Sequence, residues 1–306
     1  MAPKVEKSHT AIQAKRPPWL KIRLTTGDSF RKTRDLLTNS GLITVCEEAR
    51  CPNIYECWNQ HTATIMILGD TCTRACGFCS VKTGKPGPCD LDEPRRTAAA
   101  VKRMGLRHVV ITSVDRDDLQ NDYGATIWAR TIEGIHTHVP GCSVEVLTPD
   151  FKGYDPALQK VFRAKPEIFS HNVECAQRIS RQVRAQADWR RSRYVLEQSI
   201  AAGLVTKTGM MVGLGETDEE VLVTMAEMAG LGVEIFTIGQ YLQPTKSHLP
   251  VERFVHPDIF RMYHEKGLEM GFRVVESGPL VRSSYHAAEQ VQQMNSQQQS
   301  GEEMEL

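Results

Sequence analysis

Six of the nine cysteines in this 306-residue chain lie in one short window, in two groups of three. The second group, Cys72, Cys76 and Cys79, has the spacing C-x3-C-x2-C. Thiolates this close on one loop can converge on a metal centre, and soft sulfur ligands suit iron–sulfur clusters or zinc. Three thiolates leave one iron of a four-iron cluster without a protein ligand, so that iron can bind a substrate. A structural zinc site needs a fourth ligand, and the usual paired C-x2-C elements are absent from this group.

The first group, Cys46, Cys51 and Cys57, has the spacing C-x4-C-x5-C and precedes the first predicted strand. A chain of this length can bury a substantial core, so its stability does not require disulfides. Its opening residues lack the apolar segment of a secretory signal, and no apolar run is long enough to span a bilayer. We therefore expect a cytoplasmic protein whose clustered cysteines are metal ligands or catalytic thiols.

The charge of the chain argues against some classes of partner and leaves an acidic partner domain possible. Lysine plus arginine equals aspartate plus glutamate, at 37 each, so net charge gives no argument for a nucleic-acid partner. We expect neither nucleic acid nor membrane as a partner. The amino-terminal segment is nevertheless locally basic, which is compatible either with steering of an acidic partner domain or with a merely soluble tail. Its basic residues are Lys4, Lys7, Lys15, Arg16, Lys21, Arg23, Arg31, Lys32 and Arg34.

The elements that must position these thiols alternate regularly along the chain. Short runs rich in β-branched residues are separated by stretches of helical character, one of which has Thr217 and Glu220 as a capping box. Alternating strands and helices predict an α/β fold with a mostly parallel sheet, curled by right-handed crossovers into a barrel or part of one. Chemistry is then expected at the carboxyl ends of the strands. The six predicted strands are at 62–69, 107–114, 143–150, 167–174, 204–215 and 234–242, with a seventh strand or extended segment at 273–284.

The stretch "CTRACGFC", with Phe78 before its last cysteine, closely resembles the signature of the radical S-adenosylmethionine enzymes. The resemblance implies a [4Fe–4S] cluster held by Cys72, Cys76 and Cys79, with S-adenosylmethionine chelating the remaining iron. In that family, one-electron reduction of S-adenosylmethionine gives a 5′-deoxyadenosyl radical that abstracts hydrogen from unactivated carbon. The family fold is a partial (βα)6 barrel, in agreement with the six strands predicted above.

A second resemblance rests on "CPNIYECW", "TSVDRDDL", "HNVE" and "GPLVRSSYHA", which are similar to lipoyl synthases over nearly the whole chain. It implies an auxiliary [4Fe–4S] cluster held by Cys46, Cys51, Cys57 and a serine of the R-S-S-Y motif, which we assign to Ser283. It also implies insertion of two sulfur atoms, at carbons 6 and 8 of an octanoyl chain linked to a carrier lysine. Each product then requires two cleavages of S-adenosylmethionine, and the auxiliary cluster is consumed as the sulfur source.

The same resemblance implies partners and a domain organisation. The partners are octanoylated lipoyl carrier domains, on 2-oxoacid dehydrogenase E2 subunits and the glycine cleavage H protein, and an electron donor such as ferredoxin or flavodoxin. We expect an N-terminal extension with the auxiliary-cluster cysteines, a radical SAM partial barrel and a C-terminal extension with the R-S-S-Y motif. The Gln-, Glu- and Ser-rich composition of the last residues favours a disordered tail over a frayed helix. The respective boundaries of these four segments are 1–60, 61–245, 246–286 and 287–306.

Five further residues are candidates for contact with S-adenosylmethionine. Four of them stand at predicted strand ends, where the polar groups of the cofactor are expected to bind, although each taken alone is more often a structural polar residue. The fifth lies in an arginine-rich helical stretch, where an arginine fork matches a carboxylate but a solvated helix face is the common alternative. These residues are Ser113, Asp115, Asn172, Glu174 and Arg184. The remaining cysteines, Cys89, Cys142 and Cys175, match no ligand pattern.

Three alternatives stay open at this stage. Another radical SAM sulfur-inserting enzyme with an auxiliary cluster shares the barrel and one cysteine group, but does not predict the upstream triad together with R-S-S-Y. A non-catalytic two-cluster electron carrier is usually small and uses four cysteines per cluster. A structural zinc protein would lack the colour of an iron–sulfur protein.

Overall fold

A computed structural model describes residues 16–22, 26–59, 62–291 and 293–294 of the chain. Its centre is an eight-stranded sheet in the order β1-β2-β5-β6-β7-β8-β9-β10, in which β1 pairs antiparallel with β2 and all other neighbours are parallel. A small second sheet pairs β3 with β4. The strands are β1 (Ile43–Thr44), β2 (Thr64–Ile67), β3 (Thr71–Cys72), β4 (Lys82–Thr83), β5 (His108–Ser113), β6 (Ser143–Leu147), β7 (Ile168–Ser170), β8 (Val205–Val212), β9 (Ile235–Gln240) and β10 (Val274–Gly278).

All six predicted strands are confirmed, as β2 and β5 to β9, and the predicted seventh is β10. Within the described residues the sheet has two free edges, β1 and β10, so the barrel is partial and not closed. Successive parallel strands are joined by helices, as short β-branched runs alternating with helical stretches require. The helices are α1 (Asp28–Asn39), α2 (Val45–Glu48), α3 (Ile54–Asn59), α4 (Glu93–Met104), α5 (Ala125–His138), α6 (Asp155–Arg163), α7 (Ser180–Val183), α8 (Trp189–Ala201), α9 (Asp218–Leu231) and α10 (Pro257–Glu269).

Local sequence explains where these helices begin and end. α9 begins with the predicted capping box, in which Thr217 accepts a hydrogen bond from the Glu220 backbone and the Glu220 side chain accepts one from the Thr217 backbone. It ends at Gly232, whose left-handed φ of 97° suits glycine. Apolar faces of the helices pack on the outer face of the sheet, around buried Trp128 in one half and buried Phe236 in the other. The inner face is left free to carry polar side chains.

The N-terminal extension forms its own small helical layer beside β2. Phe30 of α1 packs on Trp58 of α3, with ring centroids 5.2 Å apart, and Thr33 donates a hydrogen bond to the Trp58 carbonyl. Cys46 and Leu37 are buried in the same cluster. This layer holds the first cysteine group against the edge of the barrel.

The C-terminal extension crosses the inner face of the sheet at β9. The crossing needs Gly239, because a Cβ atom built there would lie 2.0 Å from the carbonyl oxygen of Val281. Asn53 of the N-terminal extension donates a 2.7 Å hydrogen bond to the Leu280 carbonyl. The two extensions, which lie far apart in sequence, therefore meet over one end of the barrel.

The first residues of the predicted disordered tail are helical in the structure. Residues 287–291 and 293–294 are helical, and Gln290 is buried although the segment is rich in glutamine. The reason is a buried ion pair inside the barrel: Lys207 donates to Glu145 at 2.8 Å and to the Gln290 side-chain oxygen at 2.7 Å. Residues 295–306 lie outside the described residues, so for them the disordered tail stays a prediction.

Several other expectations stay predictions. Lys4, Lys7, Lys15 and Arg23 of the basic segment lie outside the described residues. The domain boundaries at 60/61 and 245/246 are not decided by the structure. Among the described residues, no helix has the length and apolar character needed to cross a membrane.

Replacement of Gly239 by alanine should destabilise the protein by roughly 1–3 kcal/mol, because the added methyl group meets backbone that must move. The free energy of unfolding, measured with urea, checks this expectation. Gly230→Ala is the matched control: Gly230 is exposed near the end of α9, where an added Cβ meets nothing within 4 Å. The control should be neutral or slightly stabilising. Equal effects of the two substitutions would contradict the proposed close crossing at β9.

Candidate active site

The second cysteine group lies on the loop that leaves the carboxyl end of β2. The loop turns at Leu68 and Gly69, which have left-handed φ values of 69° and 90°. The Sγ atom of Cys72 accepts backbone N–H bonds from Arg74 at 3.4 Å and from Asp115 at 3.3 Å. The loop is therefore joined directly to the segment that follows β5.

A buried arginine inside the cysteine motif holds this loop in place. Arg74 is 5 % exposed, and its guanidinium forms a two-pronged contact with Asp117 at 2.8 and 2.9 Å. It also donates to Asp150 at 2.6 Å and lies 3.2 Å from Asp115. Burial opposes a charge on Asp150, but the hydrogen bond and charge of Arg74 prevail and lower its pKa. Burial raises the pKa of Asp115 to about 6, against the attraction of Arg74.

Backbone contacts fix the rest of the loop. Gly77 donates its N–H to the Val183 carbonyl at 2.8 Å and accepts from the N–H of Leu249 at 2.9 Å. A Cβ atom at Gly77 would lie 2.8 Å from the Leu249 side chain. The His248 ring nitrogen Nε2 lies 3.0 Å from the Cys79 carbonyl oxygen. The three thiols are thus positioned by segments from both halves of the barrel.

The five residues predicted to contact the cofactor all border the cavity that Cys72, Cys76 and Cys79 also border. Arg184 is the most informative of them, because it is 4 % exposed and its Nη2 atom has no hydrogen-bond partner among the described residues. Its Nη1 atom donates to the Asn172 carbonyl at 3.3 Å. Burial raises the pKa of Glu174, and the charge of Arg184 opposes that shift. An orphaned buried donor at a cavity wall fits an anionic ligand group.

Ser113 and Asp115, two of the five residues, have partners close to the cysteine loop or within their own segment. The Ser113 hydroxyl donates to the Val114 carbonyl at 2.8 Å. Asp115 pairs with Arg74 and orients Cys72 through its backbone, as described above. Both border the cavity, but the Ser113 contact is local, and the Asp115 contacts support the cysteine loop.

The first cysteine group is held by the short helices of the N-terminal extension. Cys46 lies in α2, which is capped by Thr44, and Cys57 lies in α3. The Cys51 backbone donates to the Cys46 carbonyl at 2.9 Å. Burial, with repulsion from neighbouring thiolates, raises the pKa of Cys46 to about 11 and that of Cys57 to about 12. These thiols become thiolates when a metal centre supplies positive charge.

The two serines of the R-S-S-Y motif point to different neighbours. Ser283 accepts a 2.7 Å hydrogen bond from the side chain of Asn172, at the end of the barrel that holds the second cysteine group. Ser284 accepts a 2.7 Å hydrogen bond from the Thr64 hydroxyl. A small cavity of about 60 Å³ is bordered by all three thiols of the first group and by Ser284, whereas Ser283 is not among its lining residues.

One larger cavity of about 560 Å³ connects the two groups. It is bordered at one side by Cys72, Cys76 and Cys79, and at the other by Cys46 and Cys51. Its walls include the apolar side chains of Met66, Val114, Leu147, Met210 and Met211. The volume lies within the range of small-molecule sites, and the mixture of apolar walls with a few polar groups is typical of them.

The ligand geometry distinguishes between kinds of metal centre. Among the residues that the structure describes, no three His, Cys, Asp or Glu side chains converge closely enough to hold a single metal ion. In a four-iron cluster each thiolate binds a different iron, so the sulfur atoms are spread over a wider face. Each group offers three unpaired thiols, of which Cys46 is buried and the other five are half-buried. Soft sulfur ligands in sets of this kind suit iron–sulfur clusters.

Comparisons with known proteins agree with this geometry. A family model described as the radical SAM superfamily matches residues 66–228, and one described as the N-terminal domain of lipoyl synthase matches residues 2–51. The lipoyl synthase of Rubrobacter xylanophilus is 56 % identical over 279 residues, covering 90 % of this chain and 87 % of the relative. That of Flavobacterium psychrophilum is 50 % identical, covering 90 % and 95 %, and the mitochondrial lipoyl synthase of Nematostella vectensis is 48 % identical with the same coverage.

Solved structures share the fold at low sequence identity. Streptococcus suis SuiB, crystallised with S-adenosylmethionine, has a TM-score of 0.57 at 9 % identity, over 74 % of this chain and 55 % of SuiB. Methylornithine synthase (PylB) has a TM-score of 0.52 at 14 % identity, over 83 % of this chain and 82 % of its own. These similarities support the partial barrel.

Removal of the Arg74 charge should be strongly destabilising, because three carboxylates would lose their shared cation. We expect Arg74→Met to reduce the free energy of unfolding by roughly 3–5 kcal/mol, as for other broken buried ion pairs. Denaturant unfolding measures this change, and iron content after anaerobic reconstitution should fall with it. Arg95→Met is the matched control, since Arg95 pairs with Asp92 on the exposed surface; it should change neither quantity. A stable Arg74→Met variant with full iron content would contradict the role assigned to Arg74.

Proposed function

The chain belongs to the lipoyl synthase family of radical S-adenosylmethionine enzymes, and on that premise we propose which of its residues carry the reaction. It is an enzyme that inserts sulfur, uses S-adenosylmethionine and two [4Fe–4S] clusters, and acts on lipoyl carrier proteins. When bound, the clusters supply the electron that cleaves S-adenosylmethionine and the sulfur that enters the substrate. What this chain contributes is the placement of both clusters and of the substrate between them.

In our proposal Cys72, Cys76 and Cys79 hold the radical-generating cluster, on the loop that Arg74 anchors. Arg184 binds the carboxylate of S-adenosylmethionine with its unpartnered Nη2 atom, since a guanidinium matches carboxylate geometry. Glu174, at the same wall, accepts from the positively charged amino group. Asn172, Ser113 and Asp115 complete this wall, although the contacts of the last two favour a supporting role.

The auxiliary cluster is assigned to Cys46, Cys51, Cys57 and one serine of the R-S-S-Y motif. The resemblance led to the prediction of Ser283, but contacts in the structure favour Ser284. Ser284 borders the cavity that the three thiols also border, and it is bound by Thr64, whose backbone N–H donates to Cys46. Ser283 instead accepts from Asn172. A serine oxygen matches iron less well than a thiolate does, which suits a ligand that must be released when the cluster is consumed.

A single observation carries the proposed reaction: both cysteine groups border one cavity. An octanoyl chain in that cavity meets the source of the hydrogen-abstracting radical at one side and the source of sulfur at the other. The apolar walls hold the alkyl chain and exclude water, which protects a substrate radical from side reactions. The products are carbon–sulfur bonds at carbons 6 and 8 of the octanoyl group.

The finer identity of the partners also belongs to this proposal. We propose octanoylated domains of 2-oxoacid dehydrogenase E2 subunits and the glycine cleavage H protein as substrates, a ferredoxin or flavodoxin as electron donor, and the cytoplasm as the location. Arg16 and Arg50 border the cavity and are exposed, so two basic side chains face solvent beside it. Such charge increases the association rate with an acidic carrier domain and loses this effect as salt rises.

An anaerobic assay tests the function. Reconstituted protein, S-adenosylmethionine and dithionite are incubated with an octanoyl-lysyl peptide, and products are identified by mass spectrometry. We expect lipoyl peptide together with 5′-deoxyadenosine. Deoxyadenosine with an unmodified peptide would retain the radical chemistry and contradict the substrate. Neither product, from a protein that holds both clusters, would contradict the enzyme assignment itself.

The assignment of the serine ligand is tested by a matched pair of variants. Ser284→Ala should lower the yield of lipoyl peptide about tenfold or more, because loss of a cluster contact typically costs that much, while deoxyadenosine formation persists. Its auxiliary cluster should also lose iron faster to a chelator. Ser283→Ala, one residue away, should retain the auxiliary cluster. The reverse pattern would restore Ser283 as the ligand.

A further inference from the structure

Two arginines that are buried or half-buried border the large cavity without a carboxylate within ion-pair distance in the described part of the chain. One is Arg184, at the wall predicted for S-adenosylmethionine, and the other is Arg282, at the side of the auxiliary cysteines. Arg74, the remaining buried arginine at this cavity, has three carboxylate partners. A desolvated cation without an anion is costly, so each unpaired arginine indicates an anionic group that is bound in the working enzyme.

Contacts within its own segment and with β9 hold Arg282 half-buried. Its Nη1 atom donates to the Val281 carbonyl at 2.6 Å, within its own segment. That same atom lies 3.2 Å from the position a Cβ would occupy at Gly239, so the guanidinium rests against the backbone of β9. Arg282 borders both the large cavity and the small cavity with the three auxiliary thiols. Burial lowers its pKa, and a thiolate at Cys51 opposes that shift.

The candidate partners of Arg282 differ in charge and in position. The amide that links an octanoyl chain to lysine is neutral, so the substrate does not supply a counter-charge. The carboxylate of S-adenosylmethionine belongs at the other wall, with Arg184. Three thiolates and one serine oxygen on a [4Fe–4S] core give a net negative charge, and this group lies beside Arg282.

We propose that Arg282 is the counter-charge of the auxiliary cluster: its guanidinium stabilises the negative charge of the thiolate-ligated cluster, raises the reduction potential of that cluster and slows its loss of iron. The inference rests on the proposed function, because it assumes a cluster at Cys46, Cys51 and Cys57. Net charge and hydrogen bonds near the sulfur atoms are established determinants of cluster potential. Arginine suits this position because it keeps its charge when buried, whereas a buried lysine loses its proton readily.

The experiment uses the full-length chain with Cys72, Cys76 and Cys79 replaced by alanine, so that only the auxiliary cluster gives a signal. Arg282→Gln and Arg282→Lys are made in this background. The midpoint potential is measured by a redox titration followed by electron paramagnetic resonance, and iron release to a chelator is measured by absorbance. We expect Arg282→Gln to lower the midpoint potential and to release iron about tenfold faster, as loss of a charged hydrogen bond implies. Arg282→Lys should lie between this variant and the parent.

Arg184→Gln in the same background is the matched control, since it removes the other unpaired arginine of the same cavity. It should leave the auxiliary potential unchanged, and in the chain with intact cysteines it should weaken binding of S-adenosylmethionine. Equal shifts for both glutamine variants would overturn the inference, because the effect would then be a general one of net charge. An unchanged potential in Arg282→Gln with weaker binding of octanoyl peptide would also overturn it, in favour of substrate recognition. A parent that binds no cluster at Cys46, Cys51 and Cys57 would instead contradict the proposed function.

Discussion

The interaction on which the site depends is the contact of one buried guanidinium with three carboxylates. Arg74 lies between the first two thiols of its motif, while Asp115, Asp117 and Asp150 follow two different strands. The contact therefore joins the cysteine loop to the carboxyl ends of β5 and β6. A loop held by backbone hydrogen bonds alone would be free to shift, because its own strand β3 has two residues. The ion pairs therefore fix the loop to residues that follow two strands of the sheet.

The remainder of the active site is arranged around the cavity that this rigid loop borders. Helices cover the outer face of the sheet, so the polar inner face is left for ligands. The N-terminal extension brings the first cysteine group to the other side of this cavity. The C-terminal segment crosses β9 at Gly239. Arg184 and Arg282, which have no carboxylate within ion-pair distance in the described part of the chain, lie at the two sides of the same space. One of these two cations thus lies near each cysteine group.

Sequence reasoning predicted the parts of this structure that depend on local pattern. All six barrel strands followed from β-branched runs, and the capping box at Thr217 followed from the spacing of two residues. Both cysteine groups followed from spacing and resemblance. Arg74 was missed, since nothing in a sequence shows that an arginine will meet carboxylates from distant loops. The choice between Ser283 and Ser284 depends on the orientation of a turn. The burial of Gln290 depends on Lys207 and Glu145, which are more than 80 residues away in sequence. Long-range contacts of this kind are not encoded in periodicity.

The two proposed ligand sets come from different parts of the chain, and their positions determine when each set is complete during synthesis. Cys72, Cys76 and Cys79 occupy a single loop, whereas the proposed auxiliary set combines three cysteines before the barrel with a serine after it. Asn53 and Leu280, which are hydrogen-bonded across this junction, are 227 positions apart. In the proposed assignment, the fourth auxiliary ligand is therefore synthesised after the whole barrel. With these ligands the auxiliary cluster would cross-link the two ends of the chain, and a turnover that consumes it would open that cross-link. A chain without the R-S-S-Y segment would then lack the fourth ligand of that cluster while it retained Cys72, Cys76 and Cys79.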